Sequence, residues 1–254
     1  MSYFDDKYEN ISPIPKLLPY FHSCDAFVFK KILEDKKLLV SECKVFNNEK
    51  LLYLFYGKPA YKSSNTDSTK LNSNLPICFI LNSEYICNIK RIIPFDSGAF
   101  ECGLYKEYLH PHMKLEYFLM HPEQKSISKT INYFYESNGN YFMFKPKEQI
   151  QYDPLDFEIE SYHNLIKGVS RSSADDRKAS IEIQLDQNIE INSDALKAVI
   201  LPSNFTLSSL VQKVLIEECN AKIITYENYG VGSSLYYTKI LDLTKDYLTE
   251  QELV

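Results

Sequence analysis

Ser180-Ile181-Glu182-Ile183-Gln184-Leu185 is the stretch on which the reading of this chain turns. Strand side chains alternate with a period of two, so Ile181, Ile183 and Leu185 fall on one side and Ser180, Glu182 and Gln184 on the other. A polar loop precedes it: Ser170-Arg171-Ser172-Ser173-Ala174-Asp175-Asp176-Arg177-Lys178. The pattern sets one carboxylate on a rigid polar face beside a charged loop, a placement suited to opposing a developing positive charge. The plainer reading of the same residues is the solvated face of an amphipathic strand.

Working outward, the 254 residues suffice for one substantial core and are read as a single domain spanning 1–254. Hydrophobic residues at 44% and charged residues at 24% match ordinary globular composition and argue against disorder. The longest apolar run, 51–56, is strand length and far short of the ~18 residues that span a bilayer. The acidic start Met1-Ser2-Tyr3-Phe4-Asp5-Asp6 lacks the pattern of a signal peptide, so a soluble, cytoplasmic protein is expected. A net charge of −6 gives no global pull toward nucleic acid, and any such contact needs a local basic patch. Six scattered cysteines form no C-x-x-C pair and read as reduced packing residues.

Residues 25–37 predict a helix, with Ser23 or Asp25 as cap and Val28, Ile32 and Phe29, Leu33 at i,i+4 spacing. Strands are expected at 39–46, 51–56, 77–81 and 86–93, then helices at 113–120 and 126–136, a strand at 141–144 and a helix at 155–167. The polar run 63–74 reads as a loop. Toward the C-terminus strands are expected at 180–185, 195–201 and 222–226. Between the last two, Thr206 is expected to cap a helix carrying Leu207, Leu210, Val211, Val214 and Leu215. Strands that cluster rather than alternate with helices indicate the α+β class.

Four constellations could carry chemistry. Tyr20-Phe21-His22-Ser23-Cys24-Asp25 puts a histidine at a strand-to-helix junction, where one ring nitrogen can serve a ligand hydroxyl. Phe55-Tyr56-Gly57-Lys58-Pro59-Ala60-Tyr61-Lys62 ends an apolar strand in an aromatic face with lysines nearby. Asp96, in Pro94-Phe95-Asp96-Ser97-Gly98, suits a turn cap or a ligand contact. The fourth is the Glu182 strand. His110, His112 and His121 cluster in sequence but lack other ligands at metal spacing, so no metal site is expected.

In order, these pieces resemble the ADP-ribosyltransferase superfamily of the His-Tyr-Glu type, most closely DarT-like toxins. The resemblance rests on His22, on the rhythm Ile32-Leu33-Glu34-Asp35-Lys36-Lys37-Leu38, on Phe55-Tyr56-Gly57-Lys58-Pro59, and on Arg177-Lys178-Ala179-Ser180-Ile181-Glu182. It covers 20–62 and 165–230 and leaves 100–165 unmatched. Two departures stand out. Lys58 or Lys62 replaces an arginine after the aromatic strand, and lysine cannot make a guanidinium's bidentate phosphate contact. Ser180 stands two before the glutamate, where transferases that modify arginine or asparagine side chains carry Glu or Gln.

The resemblance implies two small packed sheets with an NAD cleft between them and helices around. It implies cleavage of the nicotinamide–ribose bond of NAD and transfer of ADP-ribose to an acceptor. The implied catalytic residues are Glu182, His22 and Tyr56. NAD, as co-substrate, would be held by His22, Ser23, Tyr56, Lys58, Tyr61, Lys62 and Arg177. The implied acceptor contacts are Arg171, Arg177 and Lys178. DNA is the acceptor of DarT-like proteins, which are paired with an antitoxin, so a toxin or phage-defence role is implied. RNA, protein and water remain open as acceptors. From another class, a non-catalytic binding module with the same fold fits the lysine departure.

Overall fold

The computed structural model describes residues 3–14, 16–61, 70–168 and 176–254. The chain begins the sheet with β1 (Tyr20–Asp25) and turns directly into α1 (Ala26–Asp35). The Asp25 carboxylate caps α1 by accepting from the Val28 amide at 2.8 Å, and Phe29, Ile32 and Leu33 are its buried stripe. Lys36, with φ 53°, ends the helix in the left-handed region. Short β2 (Lys37–Leu38) and β3 (Ser41–Glu42) lead to β4 (Lys50–Tyr56), then β5 (Pro76–Leu81) and β6 (Arg91–Ile93).

Four helices follow: α2 (Ser97–Glu101), α3 (Gln124–Tyr135), α4 (Asn138–Phe142) and α5 (Phe157–Lys167). The last part holds β7 (Glu182–Leu185), β8 (Ile189–Glu190), β9 (Leu196–Pro202), α6 (Ser209–Val211) running into a π-helical turn at Gln212–Glu218, β10 (Lys222–Tyr226) and α7 (Leu235–Glu250).

The strands form one main sheet in the order β10-β9-β5-β1-β4-β7-β6, with β3 on the side of β4, and a separate β2–β8 ladder. Among the described strands, only β9 and β10 run parallel. This mixed arrangement agrees with the α+β class. Two small packed sheets are not what forms: the strands run as one path, parted at a seam. β1 pairs with β5 along its whole length but with β4 only at Tyr20↔Tyr56 and Phe21↔Phe55. β4 in turn pairs with β7 from Leu52↔Leu185 to Phe55↔Glu182. One continuous cluster of buried side chains runs through both halves.

Several local expectations change. The 39–46 strand is broken because the Cys43 sulfur accepts from the Val45 and Phe46 amides, a turn that competes with a ladder. Of 86–93, only Arg91–Ile93 is strand, and 113–120 holds a 3-10 turn at Leu115–Phe118. The 141–144 strand is instead the end of α4, because Ser137 accepts from the Asn140 amide and starts a helix. Thr206 caps nothing: its hydroxyl donates to the Ser203 carbonyl, and Leu207 is 87% exposed. Most of the 63–74 loop lies outside the described residues, with Asn72–Asn74 forming a 3-10 turn.

Gly57 closes β4 with φ +71°, donating to the Pro19 carbonyl at 2.9 Å. A Cβ there would lie 2.4 Å from Leu18 Cδ1 and 3.1 Å from the Tyr141 ring. Gly57→Ala therefore meets both a left-handed backbone and a filled space. The expected cost is on the order of 2 kcal/mol or more, read in a thermal melt as a Tm lower by about 5 °C. An unchanged Tm would refute it.

Candidate functional site

Glu182 opens β7, and its register with Phe55 on β4 and Ile93 on β6 fixes which face it shares. The next residues on that face are Tyr53, Gln184 and Arg91, again in register. The alternation read from sequence holds, but β7 is buried on both faces, so its polar face is not a solvated one. Glu182 itself is 1% exposed. Its Oε1 accepts from Ser97 Oγ at 2.8 Å and from Gln184 Nε2 at 2.7 Å, and its Oε2 accepts from the Ser97 amide at 3.1 Å. Burial pushes its pKa up to about 7, and the nearby Asp96 carboxylate adds to the rise, against the three donated hydrogen bonds.

His22 sits at the seam. The β1–β4 ladder stops at Phe21, and the ring's Nδ1 lies 3.1 Å from the Tyr53 carbonyl across the opening. A carbonyl only accepts, so Nδ1 carries the proton and Nε2 keeps a lone pair. Burial lowers the pKa of His22, which favours the neutral ring. By strand alternation His22 falls on the face opposite Phe21, and therefore opposite Glu182; it stands beside Phe79, ring centroids 6.3 Å apart. Ser23 falls on the Glu182 face, its hydroxyl buried beside Tyr61 and Cys78.

The other expected site residues divide. Tyr56 is 0% exposed, on the face away from Glu182, with its hydroxyl accepting from the Leu18 amide at 2.8 Å. A ring so placed offers no face for stacking, which corrects the role expected of it. Lys58 is likewise 0% exposed, its ammonium donating to the Tyr141 carbonyl at 2.9 Å and lying over the Phe144 ring, 3.5 Å from its centroid. It points into the core rather than toward a phosphate. Lys62 and Arg171 lie outside the described residues. Lys178 donates to the Gly168 carbonyl and lies over the Tyr108 ring.

Tyr61 and Arg177 do come together. They line a cavity of about 100 Å³ with Phe144, Ser180 and Tyr237. Tyr61 stacks on Tyr237 of α7, centroids 4.2 Å apart and planes 7° from parallel. Arg177 is 6% exposed, with Nη1 3.6 Å from Asp96 Oδ2. That is an inward-facing cation beside the Glu182 strand, not a surface group awaiting an acceptor. Asp96 fulfils the turn role read for it, capping α2 by accepting from the Ala99 amide at 2.6 Å.

Sequence reasoning missed Ser97, Gln184, Tyr53, Phe55 and Tyr237. Gln184 was legible in the alternation as a neighbour of Glu182 on one face. Ser97 had no signal, since only tertiary packing brings α2 over β7. Tyr53 and Phe55, both half-buried, are the β4 aromatics on the Glu182 face, where Tyr56 had been expected. Among the described residues no group of His, Cys, Asp and Glu could hold a metal. His121 instead pairs with Asp5 at 3.2 Å, and His110 accepts from the His112 amide. No described helix is long and apolar enough to cross a membrane. Compared with known proteins, the chain matches no family model, no curated protein and no solved structure.

The raised pKa of Glu182 links this site to stability. A carboxyl near 4.5 when unfolded and about 7 when folded binds its proton more tightly in the native state. Its contribution is complete below the unfolded value and is lost as pH rises through 7. Glu182→Gln, which cannot ionise, should gain Tm relative to the parent chain between pH 5 and pH 8.5, by several degrees at the upper end. Parallel melting curves across that range would show the gap as constant if the carboxyl does not titrate there. Tyr56→Phe should lower stability by about 1 kcal/mol through the lost bond to Leu18, with no change in the affinity for any ligand measured by titration.

Proposed function

We propose that this protein is an NAD-dependent mono-ADP-ribosyltransferase, with Glu182 as the carboxylate that faces the sugar. The observation that supports it most is the strand carboxylate held on both oxygens by Ser97 and Gln184, beside the half-buried Tyr53 and Phe55. In the reaction the bond from ribose C1′ to the nicotinamide nitrogen breaks, and nicotinamide leaves with the electron pair. The ribose becomes oxocarbenium-like until an acceptor nucleophile attacks C1′ and gives up its proton. A fixed negative charge beside that sugar favours the transition state over the ground state. Since Glu182 is 1% exposed, contact with the sugar requires its cover to open.

His22 Nε2 would accept from a ribose hydroxyl at the seam. Because strand alternation puts His22 and Glu182 on opposite faces, NAD reaching both would have to pass through the seam, with Ser23 on the Glu182 side. The cavity of about 100 Å³ lined by Tyr61, Tyr237 and Arg177 would take part of the NAD, with Arg177 near the pyrophosphate. The acceptor we favour is a nucleic acid, in a toxin or phage-defence effector restrained by an antitoxin or another partner. The alternatives are a protein target and water. With a net charge of −6, a nucleic-acid acceptor would be gripped by a short single-stranded site rather than by general attraction.

A second reading, a non-catalytic binding module, draws on the burial of Tyr56 and Lys58 and on the placing of His22 away from the Glu182 face. The experiment that separates them is nicotinamide release from NAD by the purified protein, alone and with DNA, RNA or protein present. Glu182→Gln should lose on the order of 10²-fold in release. Glu190→Gln should match the parent, because Glu190 is exposed and its salt bridge among the described residues is with Lys37. No release under any condition would leave the binding module.

A further inference from the structure

We infer that Gln184 is a positioning residue for Glu182, its amide oriented by Arg91 so that the NH₂ group faces the carboxylate. This rests on the reading of Glu182 as the sugar-facing group. Register places Tyr53, Gln184 and Arg91 side by side on the Glu182 face. Arg91 Nη1 donates to Gln184 Oε1 at 2.8 Å. A guanidinium has only donors, so this bond settles which end of the amide is oxygen and turns the other toward Glu182 Oε1 at 2.7 Å. Gln184 is 0% exposed, so no water competes for either end.

Arg91 is itself held from outside. The Glu49 carboxylate bonds its Nη2, and the Phe46 ring lies under the guanidinium, 4.0 Å from centroid to Cζ. Both come from the segment joining β3 to β4. A chain of directed bonds therefore runs from the half-exposed Glu49 through Arg91 and Gln184 to the buried carboxylate. Ser97 donates to both Glu182 oxygens, and Gln184 donates to Oε1 and, at 3.4 Å, to Ser97 Oγ.

The test follows Glu182 directly. The Glu side-chain carboxyl carbons are titrated by ¹³C NMR, with the Glu182 signal assigned by its absence in Glu182→Gln, and nicotinamide release is followed over the same pH range. Gln184→Met removes the donor without adding a charge and should raise the Glu182 midpoint by about one pH unit or more. The pH limb of nicotinamide release should move with it, with KM unchanged within about twofold. If Gln184→Met does not fold, Arg91→Lys, which keeps the charge but loses the fork joining Gln184 to Glu49, takes its place and should also raise the midpoint. An unmoved midpoint in the variant that folds overturns the inference, whatever the activity. A moved midpoint in a protein that releases no nicotinamide upholds the hold of Gln184 on Glu182 and counts against the transferase reading alone. A moved midpoint with an unmoved activity limb overturns the catalytic part of the inference.

Discussion

The pairing of β4 with β7 is the constraint on which the rest depends. Phe55↔Glu182 and Tyr53↔Gln184 set two polar β7 side chains over two half-buried aromatics. A slip of one residue would turn Ile183 and Leu185 to that face and drive Glu182 into the apolar core opposite. The register is pinned by Leu52, Leu54, Ile183 and Leu185, all buried, so hydrophobic burial is what places the carboxylate. Gly57 then ends β4 where a side chain would strike Leu18, at the end of β4 that pairs with the start of β1; the seam lies at the other end of that pairing, past Phe21↔Phe55.

Placing a carboxylate there is costly, and the surrounding groups show how the cost is contained. Desolvation is the largest influence on Glu182, and Asp96 makes it worse. Two answers are built in. Neutral donors, Ser97 and Gln184, supply hydrogen bonds without adding charge, and Arg177 sits against Asp96 rather than against Glu182. A cation paired directly with Glu182 would have pulled its pKa down. The arrangement keeps its proton affinity near neutrality, the range in which small changes of surroundings switch the group between forms.

The parts of this design written in local sequence were legible and the tertiary parts were not. Alternation along 180–185 and the buried run 51–56 placed Glu182 and β4 on strands, and Asp25 capped α1 as its position suggested. Alternation within 51–56 also holds the reason Tyr56 faces away from Glu182, since Phe55 is the register partner; the pairing itself is a long-range fact absent from either segment. Ser137 and Cys43 redirected their segments through single side-chain bonds to backbone, which hydrophobic pattern does not register. Lys58 looked like a phosphate ligand because a lysine after a Gly turn is normally exposed; here Tyr141 and Phe144 enclose it.

Asp96 and Ser97 are adjacent, and between them they tie cover to chemistry. Asp96 caps α2 and meets Arg177, while Ser97, the first residue of α2, gives both its amide and its hydroxyl to Glu182. Ser97 thus both packs against the carboxylate and stabilises its charge. Any movement of α2 that exposes Glu182 removes two of its three donors and moves Asp96 in the same step. Loss of donors raises the proton affinity, whereas entry of water and departure of the Asp96 charge lower it. Desolvation is the largest of these influences in the closed form, so opening should favour the ionised carboxylate. Exposure and ionisation would then arrive together.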